Sequence, residues 1–462
     1  MEDQAPPAQL LDSRALGSLF ASPEVREVFT DRAMIQSWLD AEVALARAQA
    51  GMGIVPAEAA DEIATAASSP SWDLGALAAE IERTAHPLVP VIRELAARSG
   101  AAGGWVHYGA TTQDITDTGL VLQARSALDL VENFLRELLD VLAGLAERHR
   151  DLPMVGRTHA QHALPITLGF KFAVLLAEAG RHLERLEQLR SRVLVAQLGG
   201  AVGSMASFGP EGPELLRRMA EQLGLAVPDI VWHTARDGFA ELTGVLAMIS
   251  ATCGKIANEI RVLQRTEVAE LEEPFGLGKV GSSTMPHKRN PMFAEFVLAN
   301  TILTRQAPAA MLTAMVQEHE RDMTMWGVEW SVLPETFILT GGLLQRAARL
   351  LTGLIVHPDA LHRNLHQLGD LMLSEVAMMR LAGELGKTEA HDVVYHAAMR
   401  AWDSGSTLTE TLLENERVRA AVGAAELEQL LVPENYLGSC QRFVDQVLAK
   451  NKTRQAKEDD HD

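Results

Sequence analysis

Residues 281–291, Gly-Ser-Ser-Thr-Met-Pro-His-Lys-Arg-Asn-Pro, combine residue types that suit chemistry on a carboxylate. Glycine and proline both break helices, so the segment predicts a loop rather than a helix interior. Gly276 and Gly278, just upstream, add to its freedom to move. The loop presents a hydroxyl beside positive charge and hydrogen-bond donors. The residues that supply these groups are Ser282, Lys288 and Asn290.

Two other polar segments stand immediately before and after one predicted helix. The first is 106–114, Val-His-Tyr-Gly-Ala-Thr-Thr-Gln-Asp, and the second is 156–162, Gly-Arg-Thr-His-Ala-Gln-His. Each also has a purely structural interpretation, because Thr112 or Asp114 could cap the helix. The histidines of the second segment could be core or interface residues, and two histidines three residues apart are weak evidence for zinc. The candidate site residues are His107, Thr111 and Thr112 in the first segment, and Thr158 and His159 in the second.

Long helices must position these segments. Apolar residues from Val121 to Leu145 alternate in spacings of three and four, which is the 3.5-residue repeat of a helix that packs along one face. A second helix is predicted over about 168–195, and a third carries the same repeat from Leu242 to Leu263. Further helices are expected at about 293–318 and 335–356, and no convincing strand pattern is present. The sequence therefore predicts an all-α protein built on a long-helix bundle.

The predicted organisation has three domains and a tail. We expect an N-terminal helical domain over 1–115, a central bundle over 116–357 and a C-terminal helical domain over 358–450. The polar residues 451–462 predict a disordered tail.

Composition excludes several classes of protein. The 462 residues carry a formal net charge of −20, which argues against a nucleic-acid-binding protein. Two cysteines provide neither a disulfide framework nor a Cys-rich metal site. The N-terminus lacks the features of a secretory signal, and no uninterrupted apolar run reaches membrane-spanning length. We expect a cytoplasmic protein with no membrane partner.

The three polar segments together resemble the motifs of the aspartase/fumarase superfamily. The run 281–291 matches the signature loop of that superfamily nearly position for position, and 111–114 and 157–161 resemble its two shorter motifs. The resemblance covers about residues 20–448 and is closest to the branch with adenylosuccinate lyase and 3-carboxy-cis,cis-muconate cycloisomerase. It implies a three-domain, mostly helical subunit, a homotetramer and no cofactor or metal.

The resemblance also implies the reaction and the roles of the residues. Ser282 would remove a proton next to a carboxylate, and His159 would protonate the group that leaves the neighbouring carbon, releasing fumarate from a small dicarboxylate-type substrate. Pre-placed donors would stabilise the dianionic intermediate. The candidate substrate-binding residues are Thr111, Thr112, Thr158, Lys288, Asn290, His107, Gln264, Arg305 and Arg321.

Two enzyme functions remain open at this point. His159 favours a lyase that acts on an N- or O-substituted succinate. The stretch from Gln317 to Trp330 is closer to the cycloisomerase, a lactonising isomerase of aromatic catabolism. A non-catalytic helical scaffold is the minor alternative, which the intact Ser282, Lys288 and Asn290 disfavour.

The first two segments cannot meet within one chain. The helix between them has about 32 residues, or roughly 48 Å. An antiparallel neighbour would bring the Thr111 end of one chain against the His159 end of another. We therefore expect an obligate oligomer whose active sites are shared between subunits.

Overall fold

The computed structural model describes residues 9–69, 71–276 and 281–459, and its secondary structure is overwhelmingly helical. The helices are α1 Pro23–Val28, α2 Asp31–Gly51, α3 Ala57–Ala67, α4 Leu74–Thr84, α5 Val89–Arg98, α6 Thr112–Arg148, α7 Leu168–Val193, α8 Gly212–Leu223, α9 Asp237–Leu263, α10 Met292–Thr304, α11 Ala307–Ala314, α12 Met323–Thr352, α13 Pro358–Leu365, α14 Ser374–Leu385, α15 Lys387–Ser404, α16 Leu408–Leu413, α17 Glu416–Ala421, α18 Ala424–Leu430 and α19 Cys440–Asp459. The strands are β1 Pro153–Thr158, β2 Gln161–Thr167, β3 Leu271–Glu272 and β4 Ile355–Val356. The predicted all-α class is confirmed.

The two heptad patterns correspond to the buried faces of α6 and α9. In α6 every apolar position of the repeat from Val121 to Leu145 is at most 5% exposed. In α9 every position of the repeat from Leu242 to Leu263 is at most 2% exposed. Burying such a stripe removes apolar surface from water and is the main stabilisation of a long helix.

The chain divides into two compact units. The first comprises Met1–Arg136, Arg181–Gly254 and Phe296–Ala347. The second comprises Glu137–Gly180, Lys255–Glu295 and Ala348–Asp462. Long helices pass from one unit into the other, so this division does not follow chain order. The three-domain boundaries drawn from the sequence remain a prediction.

A buried ionic triad joins three segments of the first unit. Arg236 is fully enclosed, and its guanidinium donates to Asp117 of α6 at 2.7 and 3.0 Å and to Glu329 of α12 at 2.8 Å. The guanidinium also lies over the ring of Trp232, with its Cζ 4.8 Å from the ring centroid. Burial raises the pKa of Glu329, although the positive charge of Arg236 opposes that shift. Glu329, which the sequence analysis grouped with the cycloisomerase-like stretch, is therefore a structural residue.

Several predicted boundaries need correction. The helix expected at 293–318 is two helices, α10 and α11, because Pro308 lies at the start of α11 and cannot donate a helical hydrogen bond. The helix expected at 335–356 begins at Met323 and contains Pro334 in its interior. Residues 451–459, predicted as tail, continue α19, where Asn451 is buried and Gln455 donates to Asp140 at 2.6 Å.

Among the residues that the structure describes, one helix is long and apolar enough to be considered as a membrane span. This is α9, and 67% of its most apolar window is buried inside the protein. Such burial is typical of a core helix, so α9 is weak evidence for a membrane segment, and its apolar sequence is interrupted by charged residues.

Candidate active site

A buried carboxylate at the start of α6 holds the Thr111 segment. Asp114 is fully buried, and its Oδ2 accepts hydrogen bonds from the backbone N–H groups of Thr111 at 2.9 Å and Gly200 at 3.0 Å. Its Oδ1 accepts from the N–H of Gly199 at 2.7 Å and lies 2.8 Å from Nε2 of His233. Asp114 therefore does more than cap the helix, because it fixes Thr111 against the loop at 199–200.

A guanidinium lies against the hydroxyl of Thr111. Arg321 donates from Nη1 to Thr111 Oγ1 at 2.7 Å and from Nη2 to the carbonyl of Ala201 at 2.6 Å. Its Nε is shielded from solvent, and no described residue accepts the hydrogen of that Nε. A guanidinium with an unused N–H suits a carboxylate, which it can bind through two parallel hydrogen bonds. The structure thus brings together two candidate substrate-binding residues that are far apart in the sequence.

His107 is held by a carboxylate of the same unit. It adopts a left-handed backbone conformation with φ of 59°. Its ring Nδ1 lies 2.6 Å from Oε1 of Glu42, and its backbone N–H donates to Oε2 of Glu42 at 3.0 Å. Burial works against protonation, but the charge of Glu42 and this hydrogen bond outweigh burial and raise the pKa of His107. His107 therefore tends to carry a positive charge, balanced by Glu42.

A second histidine of this group was missed by the sequence analysis. His86 Nε2 lies 3.4 Å from the hydroxyl of Thr112. Burial, and then the positive charges of His107 and Arg93, lower the pKa of His86, so its ring tends to be neutral. His86 precedes Pro87 and lies outside the three polar segments that the sequence indicates. The sequence signal that could have indicated His86 is a histidine directly before a conformationally rigid proline.

His159 stands at the tip of a β-hairpin that was not predicted. Strands β1 and β2 are antiparallel, and Thr158 pairs with Gln161, which leaves His159 and Ala160 as a two-residue turn. Their φ angles of 51° and 62° are those of a type I′ turn, which normally takes Asn-Gly. Left-handed conformations cost non-glycine residues about 1–3 kcal/mol each and are common at functional sites. The imidazole and Thr158 are both exposed at this tip.

An ion pair anchors that hairpin next to its turn. Arg157 donates to both oxygens of Glu270, at 2.9 and 2.6 Å, and the Glu270 side chain is fully buried. Asn364 donates a third hydrogen bond to the same carboxylate at 2.8 Å. Burial and then the charge of Arg157 lower the pKa of His162, which faces this pair from β2. The hairpin is therefore anchored two residues before His159, while the turn itself is exposed.

In the signature loop the hydroxyl of Ser282 accepts hydrogen bonds from the backbone. Its Oγ accepts from the N–H of Met285 at 3.1 Å and from the N–H of Thr284 at 3.4 Å. Amide hydrogens aimed at this oxygen would stabilise an alkoxide, which is the form in which serine acts as a base. Ser282 is partly exposed, and the residues that follow it are exposed.

The side chain of Gln264 forms hydrogen bonds with the backbone at both ends of the loop segment 273–289. Its Nε2 donates to the carbonyl of Arg289 at 3.0 Å, and its Oε1 accepts from the N–H of Glu273 at 2.9 Å. Arg289 donates to Glu272 at 2.8 Å and lies over the ring of Phe275. Both ends of the Gln264 amide are thus engaged within the chain. Gln264 therefore holds the backbone of the loop, and its expected role in binding substrate remains a prediction.

Lys288 and Asn290 follow Ser282 along the loop. The Lys288 side chain is exposed, and its backbone N–H donates to the carbonyl of Met285 at 3.0 Å. The carbonyl of Lys288 lies so close to Gly281 that a Cβ at 281 would be 2.4 Å from it. Asn290 is partly buried at the end of the loop. Gly278 lies outside the described residues.

Arg305 differs from the other candidates. It follows α10, is exposed, and donates from Nε to the carbonyl of Thr301 at 3.3 Å. This contact is local to its own helix and does not connect Arg305 to Thr111 or Arg321.

The predicted residues therefore fall into two groups, one in each compact unit. The first unit carries a hydroxyl and cation group of Thr111, Thr112, His107 and Arg321. The second carries the imidazole, the hydroxyl and the loop cation of His159, Ser282 and Lys288. The first group contains a guanidinium that is chemically suited to an anion. The second group contains side chains that can accept or donate a proton.

Comparison with protein families identifies relatives along most of the chain. Residues 19–305 match the family described as Lyase, and residues 370–447 match the family described as Adenylosuccinate lyase C-terminus.

Three individual proteins show how similar these relatives are. N-acetyl-S-(2-succino)cysteine lyase of Enterococcus italicus is 42% identical over 447 residues, which are 97% of this chain and 98% of the relative. 3-Carboxy-cis,cis-muconate cycloisomerase of Pseudomonas aeruginosa is 41% identical over 96% of this chain and 97% of its own length. The crystal structure of fumarate lyase from Mesorhizobium sp. BNC1 aligns with a TM-score of 0.88 and 41% identity, covering 93% of this chain and 98% of that one.

Proposed function

Because the chain belongs to the aspartase/fumarase superfamily and is a lyase of that group, we propose that it cleaves a substituted succinate by β-elimination and releases fumarate. The hydroxyl of Ser282 removes a proton from the carbon next to a carboxylate. The imidazole of His159 protonates the group that leaves the neighbouring carbon. The observation that carries this proposal is the pair of backbone N–H groups directed at Ser282 Oγ.

The difficult step is the loss of the carbon-bound proton. Its removal places a second negative charge on the adjoining carboxylate, so the transition state depends on donors that are already in place. Arg321 and Thr111 form one such preformed pair, joined by a hydrogen bond of 2.7 Å. Lys288 supplies a cation from the same loop as the base. We propose that Arg321, rather than Arg305, binds a substrate carboxylate, because Arg321 is fixed beside Thr111 and Arg305 is not.

The substituent on the succinate leaves through a heteroatom. Nitrogen, oxygen and sulfur are the chemical possibilities, and the Enterococcus italicus relative is named for a sulfur-linked succinyl group. A thiol has an ordinary pKa of about 8.5, so a thiolate leaves with less acid assistance than an amine or an alkoxide. We propose that the heteroatom decides how strongly the reaction depends on His159.

We also propose that active sites are shared within a cytoplasmic homotetramer. Helix α6 has 37 residues, a length of about 55 Å, and separates the Thr111 segment from the segment that leads to the His159 hairpin. The exposed tip at His159 supports a role toward another subunit. An antiparallel neighbour is the arrangement that would unite the two ends of α6.

A substrate panel with one matched pair of variants tests the proposed function. The panel contains N-acetyl-S-(2-succino)cysteine, N- and O-substituted succinates and 3-carboxy-cis,cis-muconate, with products identified by mass and fumarate by absorbance. Ser282→Ala should lower kcat about 10²–10⁴-fold, because it removes the base. Ser283→Ala is the control, an exposed serine one position along the same loop, and should change kcat less than threefold or so. An active Ser282→Ala enzyme would remove serine from the mechanism.

The cycloisomerase is the second candidate. It is favoured by the 41% identity to the Pseudomonas aeruginosa enzyme and by the stretch from Gln317 to Trp330. Turnover of 3-carboxy-cis,cis-muconate, with no fumarate from any substituted succinate, would establish this candidate in place of the lyase.

A further inference from the structure

Two histidines and a glutamate form a cluster in the second unit, away from the proposed catalytic residues in sequence. His362 lies on α13 and His366 caps its end, so the two are four residues apart on one face of the helix. Their ring centroids are 4.3 Å apart. Glu434, in the 3₁₀ turn Pro433–Asn435, places Oε1 2.8 Å from Nε2 of His366. One ligand atom from each of the three residues lies within 4.8 Å of the other two.

We propose that His362, His366 and Glu434 bind a divalent transition-metal ion of the zinc class. Two imidazole nitrogens and one carboxylate oxygen are a common ligand set for such ions, and water can complete a four-coordinate site. Ligand atoms around a tetrahedral zinc ion are roughly 3.3 Å apart, given bond lengths of about 2.0–2.1 Å. The longest separation, at most 4.8 Å, must shorten by no more than about 1.5 Å, which rotation of the exposed His362 side chain can provide. The distance of 2.8 Å between His366 and Glu434 must widen by about 0.5 Å.

The simpler interpretation is a hydrogen bond between His366 and Glu434 alone. That hydrogen bond accounts for the positions of His366 and Glu434 but not for the position of His362 against the His366 ring. His362 is exposed, yet its ring lies against that of His366 rather than extending into solvent. Two imidazoles at this distance can bind the same cation.

The elements joined by the cluster are those that support the hairpin. Helix α13 packs on β1, and the 3₁₀ turn at Glu434 packs on β2. A metal ion held by residues from both would therefore connect the two elements on either side of the hairpin that carries His159. Its expected effect is on stability, because ligation that occurs only in the folded protein shifts unfolding to higher temperature.

Titration of the metal-free protein with ZnCl₂ tests the proposal. Calorimetry should detect about one Zn²⁺ per chain, and His362→Gln should weaken that binding about tenfold or more, since a ligand is lost. His362 is the first choice for substitution because it is exposed and the variant should fold. The matched control is His391→Gln, an exposed helical histidine whose Nδ1 lies 3.4 Å from Oδ1 of Asp392.

Thermal unfolding gives an independent measurement. Zn²⁺ should raise the Tm of the wild type and of His391→Gln, and should raise the Tm of His362→Gln clearly less, because that variant binds the ion more weakly. His159→Gln, measured in parallel, should still bind Zn²⁺, which separates this site from the catalytic histidine. Equal affinity for Zn²⁺ in the wild type and His362→Gln, or no binding by the wild type, would overturn the proposal.

Discussion

Replacing Gly281 with alanine should disable the enzyme without unfolding it. A Cβ at this position would lie 2.4 Å from the carbonyl oxygen of Lys288 and 3.0 Å from Cα of Arg289, whereas ordinary contacts are 3.4–4 Å. Both neighbours are backbone, so the loop itself must move by about 1 Å. The φ of Gly281 is outside the left-handed region, so steric contact, not backbone strain, is the cause.

The size of the effect follows from the geometry of the base. A displacement of about 1 Å between reacting groups can reduce the rate about 100-fold, which corresponds to about 2.7 kcal/mol in the barrier. Since Ser282 adjoins Gly281, we expect this loss in kcat with little change in Tm.

Gly276→Ala is the matched control for this experiment. No atom of the described residues lies within 4 Å of a Cβ placed at 276. Steady-state kinetics on the substrate identified by the panel, with circular dichroism to verify folding, should therefore show near wild-type kcat for the control. An active Gly281→Ala enzyme, or an equal loss in both variants, would refute the argument that the packing of the loop positions its base.

Three further predictions concern other parts of the structure. Arg236→Met should lower the free energy of unfolding by about 3–5 kcal/mol in denaturant titrations, because it leaves two buried carboxylates without a partner. His107→Gln should lower Tm more at acidic than at alkaline pH: the raised pKa of His107 means that stabilisation by Glu42 is complete below the unfolded value of about 6.5 and is lost as pH rises through the folded value. A pH-independent decrease in Tm would contradict this. His159→Gln should lower kcat about 10²–10⁴-fold for an amine leaving group but less than about tenfold for a thiol, and equal losses would argue against its role as an acid.

The helical scaffold was predictable because its signal is repeated many times. The repeat from Val121 to Leu145 places one residue after another on the same face, and all of them are buried. Helix ends were less predictable where a single proline decides them. Pro308 starts a new helix and Pro334 is tolerated inside one, and the local sequence around the two does not distinguish these outcomes.

The hairpin at His159 could not be predicted from the sequence. Its turn contains His-Ala in place of the Asn-Gly expected for type I′ geometry, and its strands deviate in register between Val155 and Arg157. What holds the hairpin is the ion pair between Arg157 and Glu270, residues more than a hundred positions apart. Local propensity contains no information about such a contact.

The candidate residues were recognisable by type, but their partners were not. The sequence indicated Thr111 and Arg321 separately, and only the fold shows the hydrogen bond between them. Likewise, the sequence indicated Gln264 as a candidate for binding substrate, and only the fold shows that both ends of its amide contact the backbone of Arg289 and Glu273. Side-chain roles depend on tertiary neighbours, which the sequence leaves undetermined.

Subunit mixing tests the proposed shared active site most directly. Ser282→Ala and His159→Gln chains are coexpressed with different tags, and the hybrid is purified on both. Activity is assayed on a substrate with an amine leaving group, for which each parent oligomer should lose about 10²–10⁴-fold in kcat. If one site takes its serine and its histidine from different chains, about a quarter of the sites in an equal mixture are intact, and activity should return to about that fraction of wild type. A hybrid as inactive as its two parents would contradict the account.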